Sequence, residues 1–228
     1  MKIVCFGDSL TRGVSFVKGR MRILKDNYPA FLQQFAAEHF TVMNKGVFND
    51  NSDLLLSRIE KDVIAEHPDY VIINIGGNDC NFKWDEVAKK PETEHQPIVP
   101  IERYIENLKQ LIHRIQETNS TPVLMTLPPL DPVRYYKMLA KTYGSSISHW
   151  ISLQGGIEHW HGLYNRSLNS LAEQLNVLKI DVRSAMEHSG DLNDFISDDG
   201  IHLTGEGYKT MSSEVFTSLI KNVTISAS

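Results

Sequence analysis

Five runs rich in β-branched and other apolar residues punctuate the chain: Lys2–Phe6, Thr41–Lys45, Tyr70–Ile75, Pro122–Leu127 and Asn176–Asp181. Their apolarity is continuous rather than alternating, the pattern of strands buried on both faces. Between them, apolar positions recur at helical spacing. The clearest set, Ile101, Tyr104, Ile105, Leu108, Leu111, Ile112 and Ile115, follows the i, i+3, i+4, i+7 rule behind Pro100. Leu55, Ile59 and Val63 make a second stripe behind Ser52, a capping candidate. Tyr164, Leu168, Leu171 and Leu175 make a third, and Tyr208, Met211, Val215 and Leu219 a fourth behind Thr204. Strands alternating with helices predict an α/β fold whose parallel sheet is covered on both faces.

Two stretches break this rhythm. Lys83–Pro100 is polar and carries Trp84; Pro128–Gly156 holds Pro128-Pro129, Tyr135-Tyr136, Trp150 and Gln154-Gly155-Gly156. Connections this long in a compact domain usually cover or line a site, although a surface insertion with incidental aromatics fits the same pattern. At 228 residues the expected organisation is a single domain, 1–228, with insertions around 83–100 and 128–160 covering the site.

Composition narrows the partners. An apolar share of 41% excludes disorder and collagen-like repeats. The net charge is −5 and the 23 Lys and Arg are scattered, so neither nucleic acid nor an anionic membrane is an expected partner. The two cysteines, Cys5 and Cys80, are too few for a disulfide framework and lack the spacing of a zinc site; buried small hydrophobes are expected. No signal-like segment opens the chain, and no run approaches the roughly 18 apolar residues of a membrane span, so a cytoplasmic protein is expected.

In a parallel sheet, ligands collect at the carboxyl ends of the strands. There the chain reads Gly7-Asp8-Ser9-Leu10, then Gly46-Val47-Phe48-Asn49, then Gly76-Gly77-Asn78-Asp79, and beyond the fifth run Asp198-Asp199-Gly200-Ile201-His202. A serine hydroxyl becomes a nucleophile only when an adjacent base takes its proton and a third group orients that base. Ser9, His202 and Asp199 can fill those roles, Asp199 preferred over Asp198 because Gly200 favours an irregular turn over a helical one. Each piece alone is weak, since Gly, Asp and Ser all favour turns and nine histidines are spread along the chain. The signal lies in four blocks falling at strand ends in one order.

With these blocks the chain resembles the SGNH, or GDSL-type, serine hydrolases over nearly its whole length. The resemblance rests on Gly7 to Leu10, Gly46 within Asn44-Lys45-Gly46, Gly76 to Asp79, and Asp199 to His202. It implies a flavodoxin-like three-layer α/β/α sandwich with a central, mainly parallel five-stranded sheet. It also implies Ser9 as nucleophile, His202 as general base and acid, and Asp199 as its orienting partner. The oxyanion hole it implies uses the N–H of Ser9, the N–H of Gly46 and the side-chain amide of Asn78, with no metal or cofactor. One departure stands out: second blocks in this family often carry a further glycine, where this chain has Val47-Phe48-Asn49-Asp50. Asparagine tolerates positive φ next best after glycine, which preserves the turn and brings Phe48 towards the acyl pocket or into the core.

The expected activity is hydrolysis of carboxylic esters through an acyl-enzyme, on small-molecule or saccharide esters with short, acetyl-type acyl groups. Trp84, Trp150, Trp160 and Tyr135 suit either stacking on a sugar ring or packing. A metal-dependent hydrolase resting on His149 and Glu158-His159-Trp160-His161 is one alternative, and a non-catalytic binding module on the same fold is the other.

Overall fold

Every one of the five apolar runs is a strand of one sheet. In the computed structural model, which describes residues 1–38 and 40–226, the strands are β1 (Lys2–Gly7), β2 (Val14–Val17), β3 (Arg20–Ile23), β4 (Thr41–Gly46), β5 (Tyr70–Asn74), β6 (Thr121–Met125) and β7 (Leu178–Ile180). The central sheet has the order β4-β1-β5-β6-β7, and all its pairings are parallel. β2 and β3 pair separately as an antiparallel hairpin. The helices are α1 (Ser9–Arg12), α2 (Tyr28–Ala36), α3 (Ser52–Asp62), α4 (Trp84–Lys89), α5 (Ile101–Gln116), α6 (Pro132–Tyr143), α7 (Ile147–Leu153), α8 (His159–Gln174), α9 (Val182–Ser189), α10 (Leu192–Phe195) and α11 (Gly205–Ser226).

Strand β1 shows why the sheet needs helices on both faces. Val4 and Phe6 join one core with Leu55 and Ile59 of α3, Leu108 and Leu111 of α5 and Leu168 of α8. Ile3 and Cys5 point the other way, into a core with Leu32 of α2, Met186 of α9 and Met211 and Val215 of α11. Successive strand side chains alternate in direction, so a continuous apolar run buries itself only between two helical layers. Each fully buried aliphatic side chain contributes on the order of 1.5–3 kcal/mol relative to exposure. No helix among the described residues is long and apolar enough to cross a membrane.

Several local expectations change. Ser52 is the first residue of α3 rather than its cap; Asn51 caps it, its side chain accepting from Leu54 N at 3.1 Å, while Ser52 turns inward. Leu175 lies just beyond α8 and is largely exposed, so the third stripe ends at Leu171. The two insertions are not structureless: α4 lies in the first, α6 and α7 in the second. Together they build a third core around Phe82, Trp84, Val87, Tyr135, Ile147 and Trp150. The hairpin β2–β3 escapes the apolar-run reading because its strands are only four residues long. Its signal was the Lys18-Gly19 turn, where φ is 52° and 70°, the primed conformation that suits two-residue hairpins.

Candidate active site

β1 ends at Gly7, and Asp8 then caps the short α1, its carboxylate accepting from Leu10 N at 2.9 Å. This turn fixes Ser9 at the carboxyl edge of the sheet. From the other end of the chain, the loop before α11 brings in His202. Its Nε2 lies 2.8 Å from Ser9 Oγ and its Nδ1 2.5 Å from Asp199 Oδ2. An ionised carboxylate only accepts, so Nδ1 carries the ring proton and Nε2 accepts from the serine hydroxyl.

Asp199 is 2% exposed. Burial opposes its ionisation, but the His202 ring and the backbone N–H groups of His202 and Ile201 donate to it and hold its pKa below the usual value. Ser197 Oγ adds a further bond to Oδ1 at 3.0 Å. Gly200 makes this turn possible. Its φ is 81°, and a Cβ there would fall 2.3 Å from Tyr135 N. Asp198 instead accepts from Lys18 N at 2.7 Å and stays clear of the imidazole.

The hairpin fastens the same loop. Phe16 stacks on the His202 ring at 5.8 Å, Phe16 N donates to Ser197 Oγ at 3.1 Å, and Asp198 N donates to Phe16 O at 3.2 Å. These contacts were invisible in sequence because they join residues some 180 positions apart.

The three donors that the family resemblance implies for an oxyanion hole separate. Ser9 N–H has no acceptor among the described residues. Asn78 Nδ2 gives one hydrogen to Asp50 O at 2.7 Å and keeps the other. Gly46 behaves otherwise: its N–H is already engaged, donating to Asn44 Oδ1 at 2.9 Å. The residue is glycine because a Cβ would sit 2.2 Å from Arg12 N, so the close approach of α1 to β4 accounts for it. The positive φ falls on Asn49, at 63°. Phe48 enters neither the cleft nor the core and is 42% exposed.

A cleft enclosing about 810 Å³, part of it open to solvent, runs from Ser9 and His202 to the insertion core. Its far wall is aromatic. Phe82 meets Trp150 at 4.5 Å, Trp160 at 5.5 Å and Trp84 at 5.9 Å, all edge to face. Asn81 Oδ1 ties this wall together, accepting from Trp84 Nε1 at 2.7 Å and Tyr135 OH at 3.1 Å. Trp84 and Trp150 are therefore both packing anchors and cleft lining.

Several buried groups in and beyond the cleft carry unusual electrostatics. Burial pushes Asp8 up to about 7, against the opposing pull of the Leu10 N–H and His202. Asp79, behind Asn78, is raised by burial to about 6 although Ser52 Oγ and N donate to it. Cys80 is buried and its thiol is pushed well above the ordinary range, which leaves it inert; Cys5 is likewise raised by burial, to about 12. Among the described residues no group of three or more His, Cys, Asp or Glu is arranged to hold a metal ion. His149 and His159 are exposed, and His161 bonds Arg183 instead.

A doubly wound parallel sheet with hydroxyl, imidazole and carboxylate aligned at its carboxyl edge, above an apolar cleft, defines a hydrolytic enzyme of the α/β class. The family profile described as GDSL-like lipase/acylhydrolase matches residues 5–210. The chain belongs to this family and is a carboxylic-ester hydrolase. It is 27% identical over 217 residues to an Arabidopsis thaliana GDSL esterase/lipase, covering 94% of this chain and 83% of the relative. It is 25% identical over 230 residues to a Bos taurus isoamyl acetate-hydrolyzing esterase homolog, covering 97% and 82%. In fold it is similar to a catalytic mutant of an acetylxylan esterase from Geobacillus stearothermophilus, with TM-score 0.65, 21% identity and coverage of 95% and 93%.

Proposed function

We propose that the protein is a serine esterase in which Ser9 attacks the ester carbonyl, His202 moves the proton and Asp199 orients His202. The observation that carries this reading is the continuous relay of 2.8 and 2.5 Å from Ser9 Oγ through His202 to Asp199. His202 takes the hydroxyl proton as the serine oxygen bonds to the carbonyl carbon. It then returns that proton to the departing alcohol, and water repeats the two steps to release the acid.

The negative oxygen of the tetrahedral intermediate meets the Ser9 N–H and the free Asn78 hydrogen. Asn49 N–H supplies the third donor in place of Gly46. It has no acceptor among the described residues, and its neighbour Asp50 holds Asn78 directly. The acyl group is short, of acetyl type, and the alcohol moiety lies against the aromatic wall, with acetylated saccharides within the class. Two similar proteins support this, one a homolog of an isoamyl acetate-hydrolyzing esterase and one an acetylxylan esterase.

The test is hydrolysis of p-nitrophenyl esters of increasing acyl length by wild type and Ser9→Ala, with a chelator present. Wild type is expected to favour the acetate, and turnover to fall on the order of 10⁶-fold in Ser9→Ala. Activity retained in Ser9→Ala would overturn the mechanism, and loss of wild-type activity to the chelator would favour a metal.

A further inference from the structure

The cleft contains a second histidine that this chemistry does not use. His161, in the first turn of α8, lines the same cleft as Ser9 and His202. Its Nδ1 lies 3.2 Å from Arg183 NH1. A guanidinium can only donate, so Nδ1 must be the bare, accepting nitrogen and the ring proton must sit on Nε2. Nε2 has no protein acceptor among the described residues, and it is not sealed from solvent. Burial and the Arg183 charge together drive the ring pKa down to about 3, so the imidazole stays neutral wherever the enzyme would work. Arg183 is held in turn by Glu187 Oε1 at 3.3 Å and by Leu127 O at 3.4 Å. Its charge is already paired, and no net charge is presented through His161.

A neutral N–H fixed in an otherwise aromatic wall selects for an uncharged acceptor. An ionised group entering this cleft would lose its hydration and gain no counter-charge, a large cost. An ether or carbonyl oxygen loses little water and gains one directed bond. The acetyl group proposed above has no second oxygen, so the acceptor lies in the alcohol moiety. We propose that His161 is a specificity-determining residue, its Nε2–H donating to an uncharged ether-type or carbonyl oxygen in the alcohol part of the ester. This assignment rests on the serine-esterase reading. It places the substrate among oxygenated acetates, the ring oxygen of an acetylated sugar included, ahead of plain alkyl acetates.

Acetate release from hexyl acetate and from its isostere propoxyethyl acetate tests this, because one CH₂ replaced by oxygen is the only change. The ratio of kcat/KM, ether over alkyl, is expected to fall roughly tenfold in His161→Phe, through KM, and to survive in His161→Gln, which keeps an N–H donor. Nitrogen-15 NMR of the histidine rings gives a readout independent of turnover. His161 Nδ1 should be unprotonated and unchanged between about pH 5 and 8, and in Arg183→Met, which removes the donor that fixes the tautomer, the Nδ1 and Nε2 signals should move towards a tautomer mixture, a readout that remains informative if His161→Phe fails to fold. An unmoved ratio in His161→Phe, a discrimination confined to acyl-side oxygens, or a ring that titrates normally in wild type would each overturn the assignment. Ser9→Ala separates the two failures. If it stays active the esterase mechanism is wrong; if it is dead while the ratio is unmoved, only the role of His161 is wrong.

Discussion

On one side of the cleft, Ser9, His202 and Asp199 are joined by bonds of 2.8 and 2.5 Å. The carboxylate takes further bonds from Ser197 Oγ and two backbone N–H groups. On the other side, Phe82, Trp84, Trp150 and Trp160 meet at 4.5 to 6.0 Å, and the indole N–H groups of Trp150 and Trp160 have no partner among the described residues. Hydrogen bonds are directional and fail within a few tenths of an ångström, so the first side depends on strand ends and tight turns. Dispersion between rings is individually weak and tolerant of angle, so the second side can be assembled from helices inserted between strands. On the proposed function, the reaction and the choice of substrate therefore sit on structures with different tolerance for change.

Substitutions should separate the two sides. Asp199→Asn leaves the turn in place but presents the wrong hydrogen-bond partner to His202, so kcat should fall on the order of 10⁴-fold with melting temperature nearly unchanged. A decrease of only a few fold would mean that another group orients the imidazole. Asn78→Ala removes one oxyanion donor and should cost roughly 10²–10³ in kcat, equal to about 2.7–4 kcal/mol of barrier. Circular dichroism should find it folded.

Trp150→Ala acts on the opposite wall. Trp150 is 2% exposed, so denaturant unfolding should give a loss of about 3–5 kcal/mol. The folded fraction should keep its turnover of p-nitrophenyl acetate while losing discrimination among larger alcohols. If acetate turnover collapsed with stability, the two sides would be one cooperative unit.

The smallest effect concerns Asp8, which caps α1 beside Ser9 and lines the cleft. Its folded pKa of about 7 lies above the ordinary carboxylate value of about 3.9. Between those two values the native state holds a proton that the unfolded chain has released, so stability falls as pH rises through that window. Asp8→Asn keeps the acceptor that caps α1 and has no proton to lose. Its melting temperature should gain on wild type from about pH 4 to 7 and hold that gap above. Parallel curves would mean that Asp8 ionises in the cleft at little cost.

The reactive side was largely legible in sequence, because its residues follow strands and strands advertise themselves. Val4, Ile72 and Val123 belong to runs that only a doubly covered sheet can bury. The turn residues Asp8, Asn78 and Gly200 mark where those runs or the final loop must bend. The insertion side was not. The apolar residues of α6 and α7 bury against α4 rather than the sheet, and the prolines before and at the start of α6 resemble loop punctuation. Gly46 was read as an oxyanion donor, whereas its missing side chain makes room for α1. His161 was visible only as part of a possible metal motif, since its partner Arg183 lies 22 positions away on another helix. Phe16 gave no signal at all, because stacking on His202 has no sequence period.

The bond between Ser9 and His202 spans 193 positions. During synthesis at about 5–20 residues per second, the serine leaves the ribosome roughly 10–40 s before the imidazole proposed to activate it. Throughout that interval Ser9 is an ordinary alcohol, and the sheet can form around it without its carrying an activated nucleophile. On the proposed mechanism, reactivity arrives only with the loop that carries Asp199 and His202, long after the strand that leads into Ser9 has been made.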